Sequence, residues 1–250
     1  MQVLVCIKRV PDTGARLELT ADGQELDTRN LEFTVSPHEE CAVEEAIRLV
    51  EAQGGSATVL SLGPEAAGEQ IREALAKGIE RGILLETDGG EWDPAATATA
   101  IVSAIEDEAF DLVLFGNESA DAGNYQVGVR VAQALGWPCV TSVKQLELES
   151  AERALAKREV PGGWELYPLT LPAVVTVKEG INSPRHPSLR GIMTAKKKEI
   201  VRLKPEKSAA QLVKLGLKKP PEGRGQIQML GEGTAAVPQI VAALKELGVL

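Results

Sequence analysis

Short runs of apolar residues alternate with longer amphipathic segments over about the first 145 residues of the chain. Such runs are typical of strands that are buried on both faces, and the segments between them have the 3.6-residue period of helices. The pattern predicts an α/β fold in which a doubly wound parallel sheet is covered by helices on both faces. The predicted strands span residues 2–10, 57–62, 82–86, 111–115 and 138–143, and the predicted helices span residues 37–53, 66–77, 94–109 and 126–135.

After residue 145 the segments become longer, and apolar and polar residues alternate within them. This period of two predicts a small antiparallel extension of the sheet. Its predicted strands span residues 145–148, 155–160, 164–169 and 173–177.

The end of the chain has a different character. The pattern is irregular from Glu199 onward, and residues 218–223 have the Lys, Pro and Gly content of an exposed linker. A final predicted helix at residues 237–247 has one apolar stripe, which must be buried on its own domain or on another subunit. We therefore expect a nucleotide-binding α/β domain at residues 1–200 and a C-terminal arm at residues 201–250.

Composition and charge exclude several classes of protein. The 250-residue chain has a formal charge of −9, which argues against nucleic acid as a partner because phosphate backbones require a basic surface. Three widely spaced cysteines and two histidines predict no disulfide framework and no metal site. No apolar run reaches the ~18 residues of a membrane span. We expect a protein without membrane insertion in the cytoplasm, or in the mitochondrial matrix of a eukaryote.

Four stretches are expected to meet where the strands of such a sheet end, which is where doubly wound folds bind ligands. They are residues 6–10, 36–39, 61–64 and 116–128. The last stretch is a Gly- and amide-rich loop that runs from a strand into a helix, and backbone N–H groups at a helix start bind phosphate. It is neither a GxGxxG nor a Walker loop, and no catalytic constellation accompanies it. Glu118 and Asp121 could act as acid and base, but carboxylates at a helix start are more often caps.

Residues 178–199 form a second unusual stretch. Pro184 and Pro187 restrict the backbone, so the loop should project and hold one large apolar side chain, Leu189, in solvent ahead of a helix that starts with three lysines. A stiff loop with an exposed leucine suits docking to a partner, because one buried Leu contributes about 1.5–3 kcal/mol. The alternative is that Leu189 and Ile192 merely pin the loop to their own domain.

These motifs resemble the beta subunit of electron transfer flavoprotein. The resemblance is carried in order by residues 5–10 (Val-Cys-Ile-Lys-Arg-Val), residues 42–46 (Ala-Val-Glu-Glu-Ala), the 116–128 loop, and residues 182–198 with Asn182, Pro184, Arg185, Leu189 and the three lysines. From the residues alone, the 42–46 segment is predicted to be part of a helix whose apolar residues pack in the core and whose Glu44 and Glu45 carboxylates lie in solvent. Beyond residue 200 the chain matches only in character.

The resemblance implies a Rossmann-like domain in an electron carrier, not an enzyme. Its implied partners are an alpha subunit that holds most of a redox-active FAD, acyl-CoA dehydrogenases that donate electrons, as in fatty acid beta-oxidation, and a quinone oxidoreductase that accepts them. A structural AMP would be contacted by Cys6, Ser36, Pro37, His38, Glu39, Leu62, Gly116, Asn117, Glu118, Ser119, Ala120, Asp121, Ala122, Gly123, Asn124, Tyr125, Gln126 and Val127. The implied docking anchor is Leu189, bordered by Arg185, Ile192, Met193, Lys196, Lys197 and Lys198.

Some positions depart from the family pattern. Ser36-Pro37 replaces the usual Asn-Pro, and Thr13 and His38 stand where aromatic neighbours of the flavin are expected. Residues 126–128, Gln-Val-Gly, are similar to those of electron-bifurcating relatives that bind a second FAD in place of AMP, but Asn124 favours AMP.

Two other functions are weighed against the electron carrier. An ATP pyrophosphatase or hydrolase of similar shape would need an SGGxDS-type loop where residues 8–11 read Lys-Arg-Val-Pro. A nucleotide-sensing module of the universal-stress type would form homodimers and bind no flavin.

Overall fold

The computed structural model describes residues 1–12, 14–219 and 228–250. Its strands are β1 (Gln2–Ile7), β2 (Val10–Pro11), β3 (Phe33–Thr34), β4 (Ser56–Gly63), β5 (Arg81–Glu86), β6 (Leu112–Gly116), β7 (Cys139–Ser150), β8 (Arg153–Val160), β9 (Gly163–Thr170), β10 (Ala173–Val177) and β11 (Ile200–Leu203). Its α-helices are α1 (Pro37–Gln53), α2 (Gly68–Lys77), α3 (Pro94–Ile105), α4 (Val127–Leu135), α5 (Leu189–Ala195) and α6 (Val237–Glu246). Thr13 and most of the expected 218–223 linker lie outside the described residues.

Within the described residues, nine strands form one sheet in the order β11-β5-β4-β1-β6-β10-β7-β8-β9. The strands from β11 to β7 are parallel to their neighbours, and β7, β8 and β9 form an antiparallel extension. This arrangement confirms the predicted Rossmann-like doubly wound α/β fold. β2 and β3 form a separate antiparallel pair.

The two faces of the sheet pack on different helices. Val3 and Val5 of β1 lie in the core cluster that includes the buried face of α1 and α2, whereas Leu4 and Cys6 lie in the cluster with α3 and α4. Both faces of β1 are therefore buried against helices, which explains its unbroken apolar run. Aromatic residues make up only 3% of the chain, and most of the buried side chains in both layers are aliphatic, although Phe110 and Phe115 contribute to the layer with α3 and α4.

The prediction for residues 173–177 is wrong about their place in the sheet. Residues 173–177, expected in the antiparallel extension, form β10, which lies between β6 and β7 and is parallel to both. All five of its residues are buried. A continuous buried apolar run is typical of a central parallel strand, so the run itself carried the correct signal.

The C-terminal region is more ordered than expected. Residues 200–203, expected to be irregular, form β11, which extends the sheet by pairing in parallel with β5. The predicted final helix is confirmed as α6, but none of its residues is buried. The division at residue 200 stays a prediction. In the described part of the chain, every helix is too short or too polar to cross a membrane.

Candidate functional site

The candidate site lies where β1 and β6 end, because the chain turns to opposite sides of the sheet at this pair of strands. From β1 the chain proceeds to β4 and β5 on one side, and it then crosses back to β6 and β10 on the other. Loops that leave neighbouring strands diverge at such a switch point and create a crevice. Lys8, the start of α1 and the 117–126 loop that follows β6 meet at this switch point, and we call their junction the crevice.

Three contacts join the 117–126 loop to the other wall of the crevice. The backbone N–H of Ala120 donates to Ser36 Oγ at 2.9 Å. Lys8 Nζ lies 2.6 Å from Asp121 Oδ2, and His38 Nε2 lies 3.4 Å from Glu118 Oε1. Glu118 and Asp121 therefore both bind the opposite wall.

The loop leaves β6 through a position that only glycine can occupy. A Cβ built on Gly116 would lie 2.6 Å from Cγ of Glu39 and 3.2 Å from Cβ of His38. Heavy atoms cannot approach this closely, so the start of α1 packs directly on the backbone of the loop. The Gly-rich character of residues 116–128 thus has a steric cause at its first position.

Asn117 fixes the base of the loop. Its side-chain Oδ1 accepts hydrogen bonds from Thr176 Oγ1 at 2.8 Å and from the backbone N–H and Oγ of Ser142, both at 3.0 Å. Its backbone N–H donates to Val177 O at 2.9 Å. Thr176 and Ser142 were missed as site residues because they lie far from the loop in the sequence, on strands that become neighbours only in the folded sheet.

Glu39 is a buried carboxyl group at the floor of the crevice. It is 6% exposed, and Oε2 accepts a hydrogen bond from the backbone N–H of Ser36 at 3.3 Å, one half of a capping box. Burial raises the pKa of Glu39 to about 8, although backbone N–H groups of Lys8 and Ser36 act in the opposite direction. The floor of the crevice therefore holds a carboxyl group that is largely neutral near neutral pH.

Cys6 lies beneath this floor on β1. It is 5% exposed, and burial raises the pKa of its thiol, with a smaller effect from Glu39. A buried neutral thiol is not a nucleophile. Leu62, near the end of β4, is half-buried against the cluster formed with α3 and α4.

The far side of the crevice ends at the start of α4. Gln126 precedes the helix, and its side chain makes no capping hydrogen bond to the first N–H groups of α4. Tyr125, with φ at 57°, and the exposed Asn124 form the turn that leads into this helix. Uncapped N–H groups and the positive end of the helix dipole fit a phosphate group without a lysine.

The 178–199 stretch starts beside the crevice, where the backbone N–H of Glu179 donates to His38 Nδ1 at 2.7 Å, and it continues to an exposed surface around Leu189. Leu189 is 84% exposed, Met193 is 71% exposed and Ile192 is 41% exposed. The alternative in which Leu189 pins the loop to its own domain is therefore wrong. Ser188 Oγ accepts the backbone N–H of Gly191 at 3.0 Å and caps α5, so the helix starts at Leu189.

The three lysines follow α5, and the expectation that they start a helix is wrong. Lys196 and Lys197 are exposed, whereas Lys198 Nζ donates to the carbonyl oxygens of Leu75 and Ile79 at 3.0 and 2.6 Å. Burial lowers the pKa of Lys198. Lys198 therefore fastens the end of this segment to α2.

Arg185 and the 42–46 segment also differ from expectation. Glu44 and Glu45 were expected in solvent, but each is only 5% exposed. Arg185 Nε lies 2.9 Å from Glu44 Oε2, and Nη1 lies 2.6 Å from Glu51 Oε1. The partner that buries Glu44 is 141 residues away, which local sequence patterns cannot reveal.

Comparison with known proteins places this architecture in a family. A sequence model described as the electron transfer flavoprotein domain matches residues 25–208. The chain belongs to the electron transfer flavoprotein family.

Several curated relatives share most of their length with this electron transfer flavoprotein chain. The electron transfer flavoprotein subunit beta of Bradyrhizobium diazoefficiens is 38% identical over 259 residues, covering 100% of both chains. The proteins of the same name from Bacillus subtilis and Homo sapiens are 38% identical over 205 residues and 35% identical over 256 residues. These alignments cover 81% and 99% of this chain, and 79% and 98% of the relatives.

The geometry brings together only part of the set of nucleotide-contacting residues that the resemblance implied. The N-cap Ser36 and the α1 residues His38 and Glu39 meet Gly116 and residues 117–121 across the crevice. Residues 122–125 lead away to α4. Lys8 lies in the expected 6–10 stretch but outside the set that the resemblance implied, and it joins the site through Asp121. In this electron transfer flavoprotein chain, the nucleotide-contacting role of all these residues stays a prediction.

Proposed function

We propose that this chain is the beta subunit of a heterodimeric electron transfer flavoprotein. It accepts electrons from acyl-CoA dehydrogenases and passes them toward a quinone oxidoreductase, and it makes or breaks no substrate bond itself. The redox step belongs to the FAD that the alpha subunit holds. The observation that carries the docking part of this proposal is the exposure of Leu189, 84%, at the tip of a segment whose two ends are tied to the body of the domain.

The crevice between β1 and β6 is proposed to hold AMP as a structural ligand. The N–H groups at the start of α4 would bind the phosphate, and Ser36, His38 and residues 117–121 would surround the rest of the nucleotide. Because the floor carboxyl of Glu39 is held largely neutral, it adds little repulsion toward an anionic ligand. AMP contributes no electrons, so its role is to fill and stiffen the crevice.

A leucine held in solvent provides an apolar contact that a dehydrogenase can bury. Leu189 and Met193 are four residues apart on α5, so both lie on the same face of the helix. Exposed apolar side chains on a well-anchored helix favour protein docking over ligand binding.

The C-terminal arm supplies a surface for the alpha subunit. Leu212, Val213 and Leu215 are 51%, 81% and 90% exposed. The backbone of the same stretch is fastened to the domain, since Asp93 Oδ2 accepts the N–H groups of Gln211 and Leu212 at 2.5 and 3.0 Å. An arm fixed by its backbone with apolar side chains outward is suited to being covered by another subunit.

Reconstitution tests this proposal. The chain should be co-expressed with its alpha subunit, and the nucleotides released from the purified complex should be identified by mass spectrometry. We expect one AMP and one FAD per heterodimer and no nucleotide hydrolysis by the chain alone. Two FAD molecules would support the electron-bifurcating type, whereas a flavin-free homodimer would support a nucleotide-sensing module and contradict the proposal.

A further inference from the structure

We propose that α1 holds the docking loop, residues 182–188, in the conformation that presents Leu189, with Asn182 and Arg185 as positioning residues. This inference rests on the proposed docking function of Leu189. It assigns to Arg185 a role different from the expected contact with the dehydrogenase. The two segments involved, residues 42–46 and 182–185, were separate motifs in the sequence, and the structure makes them two halves of one contact.

Arg185 is bound on α1 by a closely spaced set of hydrogen bonds. Its backbone N–H and Nε both donate to Glu44 Oε2, at 3.1 and 2.9 Å, and Nη2 donates to Glu44 Oε1 at 3.0 Å. Nη1 and Nη2 donate to the two carboxylate oxygens of Glu51 at 2.6 and 2.9 Å. Such paired geometry orients the guanidinium strongly. The guanidinium is engaged within its own chain and is not directed toward a partner.

Asn182 makes a second attachment at the start of the loop. Its side-chain Nδ2 donates to Glu45 Oε2 at 2.8 Å and to the carbonyl oxygen of Cys41 at 3.0 Å. Glu45 is 5% exposed, so this hydrogen bond is shielded from water and is costly to lose. Asn182 and Arg185 together fix the loop at two points, three residues apart.

The other end of the segment is fixed on α2. Lys198 donates to Leu75 O and Ile79 O, and Arg72 Nη1 donates to Ala195 O at 2.5 Å. Leu189 therefore lies between one anchor on α1 and another on α2, at the first residue of α5. Holding an exposed leucine in place before a partner arrives lowers the ordering cost of binding.

The test compares variants of the complete alpha–beta complex as electron acceptors for an acyl-CoA dehydrogenase reduced by its acyl-CoA substrate. Arg185→Ala alone leaves Glu44 buried without its partner, so Arg185→Ala is combined with Glu44→Gln, and Glu51→Gln provides a milder variant. Arg202→Ala is the matched control, because Arg202 also bridges two carboxylates, Glu65 and Glu86, at 3.0 and 2.9 Å on β11.

With the Arg185→Ala/Glu44→Gln complex as electron acceptor, the KM of the dehydrogenase for the complex should rise about tenfold. The kcat should change little, since only the presentation of Leu189 is lost. Glu51→Gln should raise KM by a smaller factor, and Arg202→Ala should not raise it. Amide hydrogen exchange of residues 183–190 should accelerate in the same order. In a Leu189→Ala background, the changes at Arg185 and Glu44 should have little further effect on KM.

The outcomes separate the two proposals. The positioning role is contradicted if Leu189→Ala raises KM but the Arg185 and Glu44 changes do not. It is also contradicted if the effect of the Arg185 and Glu44 changes persists in full in the Leu189→Ala background. Either result leaves the docking function of Leu189 intact. Unchanged hydrogen exchange in residues 183–190 also overturns the positioning role. If Leu189→Ala leaves KM unchanged, the docking function itself is contradicted, and the positioning role is contradicted with it.

Discussion

At the scale of single residues, the crevice depends on one buried carboxyl group and one glycine. Glu39 is buried at N3 of α1, and Gly116 lets the next loop pass directly over it. Capping patterns in the sequence located Glu39 correctly, because a capping box is a local motif. They could not show its burial, because the residues that cover it come from β1 and β6.

Replacement of Glu39 by Gln should change how stability depends on pH. The native pKa of about 8 lies above the usual 4.5, so the folded state binds more protons than the unfolded state between these values. Stability should therefore fall as pH rises from about 5 to 8, by an amount on the order of 2–4 kcal/mol, and Glu39→Gln should remove this loss.

Urea unfolding at pH 5, 6.5 and 8 measures the effect of Glu39→Gln. The exposed Glu32→Gln is the matched control and should keep the wild-type slope of stability against pH. Equal losses in the wild type and in Glu39→Gln would contradict the assignment of a raised pKa to Glu39.

Replacement of Gly116 by Ala should destabilise the domain by about 1–3 kcal/mol, because the new methyl group overlaps Glu39 and His38. Gly68→Ala is the control. Gly68 lies at the start of α2 with open space around its Cβ position, so its replacement should be neutral or slightly stabilising. Thermal unfolding of both variants provides the comparison, and a Gly116→Ala variant as stable as the wild type would show that α1 does not pack tightly on the loop.

At the scale of elements, α1 connects the two proposed functional surfaces. Its first turn forms a wall of the crevice, and its later turns carry the carboxylates that bind the 182–188 loop. Sequence periodicity predicted this helix with both its ends, since Ser36, Pro37 and the terminal glycines are local signals. It assigned Glu44 and Glu45 to solvent because the residues that bury them, Asn182 and Arg185, lie in a loop remote in sequence.

Errors at strands and helix ends have similar causes. β10 was placed in the wrong part of the sheet because strand order depends on long-range pairing, which alternation along the chain does not encode. The lysine run does not mark the start of a helix, because α5 begins at Leu189 behind its N-cap Ser188 and ends before the lysines.

The start of α3 connects to the C-terminal arm through Asp93. Oδ1 of Asp93 caps α3 by accepting the Ala96 N–H at 2.8 Å, and Oδ2 holds residues 211–212. Asp93→Ala should cost about 1–2 kcal/mol and accelerate proteolysis of residues 204–219. Asp93→Asn should retain most of the cap but hold the arm less well. Wild-type protection of the arm in Asp93→Ala would show that Asp93 does not fasten it.

At the scale of the whole molecule, a doubly wound domain presents a crevice at the ends of its strands and two apolar surfaces outside it. The docking surface is small and anchored on α1 and α2, whereas the arm is longer and anchored on α3. Under the proposed function, this separation would let one subunit contact an alpha subunit and a dehydrogenase at the same time. The protein as a whole is acidic, with a net charge of −9. The exposed Lys196 and Lys197 nevertheless form a local basic patch beside Leu189.

The most direct measurement of the central claim is the rate at which an acyl-CoA dehydrogenase reduces the FAD of the purified alpha–beta complex, followed by stopped-flow absorbance at limiting dehydrogenase concentration. Leu189→Ala should slow this transfer by roughly tenfold or more, since one buried leucine contributes about 1.5–3 kcal/mol. Leu166→Ala removes another leucine with 58% exposure, on β9, and should leave the rate unchanged. A Leu189→Ala complex that is reduced as fast as the wild type, or a wild-type complex that no acyl-CoA dehydrogenase reduces, would contradict the account.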